Sequence, residues 1–83
     1  MSSLRTTAMF KGIVTLKNGA HKIVRMTIDK VAQFAAAMKQ LREMPWLTKR
    51  YEDFFNSLEI DSKQILSCRF FNERTGEELI NLA

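Results

Sequence analysis

Apolar residues recur with two different periods along this chain of 83 residues. Residues 9–16 and 20–28 alternate apolar and polar positions and are rich in Ile, Val, Thr and Phe, which predicts two strands joined at Asn18-Gly19 as a β-hairpin. Asn and Gly both tolerate the positive φ angles that tight hairpin turns demand. A two-residue loop would pair Lys17 with Ala20, placing Phe10, Val14 and Leu16 on one face with His21, Arg25 and Thr27 and wasting the apolar half of the second strand. A three-residue loop, Lys17-Asn18-Gly19 with Gly19 left-handed, instead sets Val24, Met26 and Ile28 beside Phe10, Val14 and Leu16. That register is the expected one. Its opposite face carries Lys11, Ile13, Thr15, Ile23, Arg25 and Thr27.

The period then changes to that of a helix. Val31, Phe34, Ala35, Met38 and Leu41 form one apolar stripe, Thr27 or Asp29 serves as the cap, and Pro45 ends the run because a residue before proline is pushed out of helical geometry. Leu47, Tyr51, Phe54, Phe55 and Leu58 make a second amphipathic run, with Pro45 acceptable in a first turn. Residues 29–58 are therefore either two helices or one bent helix. Residues 65–71 read as a strand, Asn72-Glu73-Arg74-Thr75-Gly76 as a turn, and residues 77–82 as a last strand.

The order ββααββ predicts an α+β fold: two β-hairpins forming a four-stranded antiparallel sheet, with one or two helices packed on one face. If Leu66, Cys68 and Phe70 face the helices, Ser67, Arg69 and Phe71 join Lys11, Ile13, Ile23 and Arg25 outside. A contiguous outer patch of Ile13, Ile23, Ile65 and Phe71 would mark a contact surface. The strand is apolar on both sides, so Ile65 and Phe71 are equally eligible as its buried pair.

Composition narrows the class. With 46% hydrophobic and 27% charged residues the chain lies in the globular range, and its length allows one domain over residues 9–83 behind an N-terminal arm, residues 1–8, expected to be flexible. The longest uncharged stretch, residues 31–38, is far below the roughly 20 residues of a membrane helix, and the polar start lacks the apolar core of a secretory signal. A lone Cys68 excludes an intrachain disulfide and a Cys-cluster metal site and implies a reducing, cytoplasmic setting. Charge is divided by position. Residues 1–50 hold ten Lys and Arg against two acids, a balance of +8, whereas residues 51–83 hold three against seven, a balance of −4. That polarity suggests a macromolecular partner.

No catalytic constellation emerges, and the chain reads as non-enzymatic. His21 stands alone beside a turn, Cys68 in a strand reads as a small buried hydrophobe, and Gly12, Gly19 and Gly76 are too scattered to cradle a phosphate. Glu77 and Glu78, adjacent in a strand, point to opposite faces, so no metal or cofactor is expected. Trp46 follows the proline at the inter-helix corner, where it either plugs the core or stands exposed as an anchor for a partner.

The expected role is a small protein-interaction module whose partner is another protein, including a second copy in a homodimer. The alternative is a nucleic-acid-binding accessory protein using a basic sheet face. There Lys11, Lys17, Lys22, Arg25 and Arg69 would meet phosphates and Phe71 would stack on a base. The glycine and aromatic pattern of sheet-type RNA readers is absent from both hairpins. No membrane and no small-molecule substrate is implied. The element order with a basic first half resembles that of many small accessory proteins of bacteria and their phages, a likeness that no residue motif carries.

Overall fold

Lys17, Asn18 and Gly19 close the first hairpin in the computed structural model, which describes residues 8–82. Gly19 takes φ +90° and donates its N–H to the Leu16 carbonyl at 2.9 Å, while the Leu16 N–H donates to the Ala20 carbonyl at 2.8 Å. Asn18 Oδ1 accepts from the Ala20 N–H at 2.9 Å, which holds the turn from within. Strands β1 (Met9–Leu16) and β2 (His21–Thr27) therefore pair in the three-residue register, with Phe10 opposite Met26 and Ile13 opposite Ile23. Val24 and Met26 are buried beside Phe10 and Val14, as the parity argument requires. Ile28 does not join them. The chain leaves the sheet at Thr27, so Ile28 opens the first helix and is exposed.

Helix α1 (Ile28–Glu43) buries Val31, Phe34, Ala37 and Met38, with Leu41 half-buried at the end of the stripe. Ala37 rather than Ala35 is the buried alanine. Thr27 occupies the cap position in extended geometry without a side-chain capping bond, and Asp29 sits in the first turn, where a negative charge interacts favourably with the positive end of the helix dipole. Met44 takes φ −136° and ψ 79° ahead of Pro45, which ends α1 as the sequence predicts. One 3-10 turn, Pro45–Leu47, leads into α2 (Thr48–Ser57), so the middle of the chain is two helices. Trp46 in that turn is 72% exposed and plugs nothing. Helix α2 buries Phe55, with Tyr51 and Phe54 half-buried on the same side. Past it, Glu59 takes φ +58° while the Ile60 N–H reaches back to the Phe55 carbonyl at 3.0 Å, turning Ile60 into the core.

Strands β3 (Ile65–Asn72) and β4 (Glu78–Leu82) complete an antiparallel sheet of order β2-β1-β3-β4, with the helices packed on one face. The first strand of each hairpin lies at the centre, so β1 is paired on both sides. A register shift between Thr15 and Leu16 leaves Leu66 without a partner on β1, because Thr15 faces Ser67 and Leu16 faces Ile65. Cys68 and Phe70 point inward as expected, but the extra residue reverses the two before them: Ile65 is buried and Leu66 is 56% exposed. Ile65 is thereby removed from the expected outer patch. The Phe34 ring is the hub of the core, in edge-to-face contact with Phe55 and Phe70 at 5.3 Å between centroids and with Phe54 at 6.2 Å. Of the expected N-terminal arm, only Ala8 lies within the described residues, ahead of β1 and exposed.

Candidate interaction surface on the open sheet face

Side chains alternate along a strand, so the register that buries Phe10, Val14, Cys68 and Phe70 projects their neighbours to the other side of the sheet. Among the described residues no helix covers that side. Its cross-strand rows follow from the pairing: His21, Thr15 and Ser67; then Ile23, Ile13, Arg69 and Asn81; then Arg25, Lys11, Phe71 and Glu78. Lys11, Ile23, Arg25, Phe71 and Glu73 line a shallow depression of about 680 Å³ on this face. Ile23 is 51% exposed and directly faces Ile13 on β1. An apolar pair thus stands in the open, bordered by charge.

The charges are mostly spoken for. Arg25 faces Lys11 across the strands, an unfavourable like-charge pair. Glu73, from the β3–β4 turn, relieves it by accepting two hydrogen bonds from the Arg25 guanidinium, that from Nη2 measuring 2.9 Å. The hydrogen bond from Arg25, together with the positive charges of Arg25 and Lys11, holds the Glu73 carboxyl below its ordinary range against a smaller opposing effect of burial. Arg69 donates from Nε and Nη2 to Glu78 Oε1 at 2.9 and 2.7 Å and lies 5.0 Å from the centre of the Phe71 ring. Both arginines of the face are therefore paired with carboxylates. His21 makes one weak polar contact, Thr15 Oγ1 to Nδ1 at 3.2 Å.

The residues singled out from sequence separate into three places. Lys11, Arg25, Arg69 and Phe71 meet on the open face. Lys22 shares the inward parity of Val24 and approaches Glu59 at 4.0 Å, so it belongs to the helix side. Lys17 lies in the hairpin turn, and Trp46 lies in the corner between the helices. Sequence reasoning missed Glu73 and Glu78, the partners that neutralise the face. Glu73 is positioned by Asn72, whose Oδ1 accepts from the N–H groups of Arg74 and Thr75 at 2.8 and 3.2 Å, a turn signal that was legible. The position of Glu78 depends on a second register shift, between Phe70 and Phe71, which no local signal announces.

Cys68 is buried, and loss of hydration pushes its thiol up to about 11, partly offset by the charge of Arg42. It is a packing residue. No cluster of three or more His, Cys, Asp or Glu suited to a metal ion occurs among the described residues, and no helix there is long and apolar enough to cross a membrane. No protein-family model, curated protein or solved structure matches the chain.

Proposed function

We propose that the chain is a non-enzymatic protein-interaction module that self-associates as a homodimer through the open face of its sheet. The observation that carries this reading is the facing pair Ile13 and Ile23, with Ile23 half in solvent and Phe71 in the next row. Four strands about 4.8 Å apart and roughly seven residues long cover on the order of 450 Å² per copy. Two copies then bury about 900 Å², below the roughly 1,200 Å² of stable specific interfaces, which fits weak, transient association rather than a permanent dimer. A two-fold axis suits such a surface because each copy presents both signs of charge, in Arg25 with Glu73 and in Arg69 with Glu78. A cytoplasmic setting goes with this reading, since the free, buried thiol of Cys68 needs no oxidising compartment.

Binding of nucleic acid by the same face is the weaker reading. Arg25 and Arg69 would have to break ion pairs to meet phosphates, and Lys22 projects from the other side. Sedimentation over a concentration series tests the proposal: a monomer–dimer equilibrium is expected, and Ile23→Glu should abolish it without loss of fold. A monomer at every concentration up to the millimolar range refutes it. Titration with mixed DNA and RNA oligonucleotides at two salt concentrations tests the other reading. Five neutralised phosphates on duplex DNA would give a log-log slope of about −4.5, whereas Lys11 and Lys17 alone would give about −2.

A further inference from the structure

Three segments converge at the end of the molecule where the first hairpin turns. The Lys17 N–H donates to the Gln64 carbonyl at 2.8 Å, which ties the turn to the 3-10 turn Ser62–Gln64. Pro45 halts α1 beside them, leaving Arg42 in its last turn. A groove of about 410 Å³ opens between these segments, floored by Met38, Leu41 and Ile65 and rimmed by Lys17, Arg42 and Lys63. Met38 and Ile65 are buried beneath it, while the three cations are exposed.

Its chemistry is one-sided. No carboxylate lines the groove, and none of the three cations belongs to an ion pair among the described residues. Acids stand in the adjoining depressions instead: Glu52, Glu59 and Asp61 line one that shares Lys63, with Asp61 Oδ1 accepting from the Lys63 backbone N–H at 3.0 Å, and Glu43 lines another that shares Arg42, between α1 and β4. Among the described residues Arg42 Nη2 reaches only a carbonyl, that of Leu82, at 3.4 Å. Part of the positive field answers the carbonyl end of α1, but Lys17 and Lys63 come from other segments and add repulsion that nothing in the groove offsets. Apolar floor and cationic rim together define an occupant with an anionic head and a short apolar body.

We propose that this groove binds a small organic anion bearing an apolar tail, its carboxylate or phosphate held by Lys17, Arg42 and Lys63 and its tail laid on Met38, Leu41 and Ile65. At about 30 Å³ for a water-sized group the space takes about fourteen such groups, room for a medium-length alkanoate. The groove lies on the helix side of the sheet, so it stands or falls independently of self-association through the open face.

Octanoate, octylammonium and inorganic phosphate, each titrated into isotopically labelled protein and followed by amide chemical shifts, test the assignment. Octanoate should saturate with a dissociation constant at or below about 1 mM. Its shifts should centre on Lys17, Arg42, Lys63 and Ile65. Octylammonium should leave those amides in place, phosphate should bind more weakly than octanoate, and added salt should weaken octanoate binding. The double variant Arg42→Gln, Lys63→Gln should lose at least about tenfold in affinity. Should that variant fail to fold, Lys17→Gln supplies the same comparison at a turn position. Non-saturable shifts, equal binding of octylammonium, shifts centred elsewhere, or unchanged affinity in a folded variant would each overturn the proposal.

Discussion

Adding one methyl group to Gly12 sets two effects of opposite sign against each other. Gly12 sits mid-strand in β1, directly opposite Phe70 on β3. In a strand interior, replacing glycine by alanine removes backbone freedom from the unfolded chain and by itself stabilises by about 0.5–1 kcal/mol. At Gly12, however, a Cβ would lie 2.9 Å from Cδ1 of the Phe70 ring, well inside van der Waals contact. The ring has nowhere to go. Phe70 is fully buried, and Phe34 packs edge-on against it at 5.3 Å between centroids. Overpacking a close-packed core costs about 1–3 kcal/mol, so steric strain outweighs the entropic gain and Gly12→Ala should destabilise by about 1–2 kcal/mol. The assay is urea denaturation of four proteins: wild type, Gly12→Ala, Phe70→Leu and the double variant. Phe70→Leu alone should also destabilise, through lost aromatic contacts and a partial cavity. In the double variant the smaller side chain leaves room where the methyl group lands, so the two changes should be less harmful together than their sum by about 1 kcal/mol. Additive effects, or a Gly12→Ala protein more stable than wild type, would show that the close approach of β1 to the Phe70 ring does not exist.

Two other outcomes follow from burial. Trp46→Ala should change stability by no more than about 0.5 kcal/mol, against the 3–5 kcal/mol expected of a tryptophan that plugs a core. The sole Trp should likewise fluoresce as a solvent-exposed indole before and after unfolding, and a blue-shifted native spectrum would contradict its 72% exposure. Cys68 should react with a thiol reagent only as fast as the protein opens. Its folded value of about 11 lies above the ordinary 9.0 of an exposed thiol, so its contribution to stability is complete below pH 9 and is lost as pH rises towards 11. Cys68→Ser should flatten that alkaline decline in a denaturation series; an unchanged decline would assign it to another group.

Much of the architecture was legible along the chain because it is written in short-range signals. Asn18-Gly19 supplies the backbone freedom for the turn, Pro45 stops α1, and the change from alternating to helical spacing separates strands from helices. The three-residue turn also followed from sequence, since only that register lets Val24 and Met26 bury with Phe10 and Val14. Gly12 also carries a local signal, because a lone glycine inside a strand marks close approach of another group, here the Phe70 ring. The candidate surface was half legible. Parity put Lys11, Ile13, Ile23, Arg25, Arg69 and Phe71 on one side, and they are there.

What the chain could not reveal were quantities fixed only when distant segments meet. The unpaired residue of β3 exposes Leu66 and buries Ile65, because pairing with β1 skips one position at Leu16. Glu73 reaches Arg25 from 48 residues away, and Glu78 reaches Arg69 across a second register shift. These contacts turn a sequence that reads as a basic face into one whose arginines are neutralised. The groove between Lys17, Arg42 and Lys63 likewise exists only where three separate segments close on one another. Local periodicity determines which residues turn inward, because it needs only the geometry of one strand or helix. Charge compensation and concavity were decided by the tertiary structure, since both depend on distances between residues that the chain holds far apart.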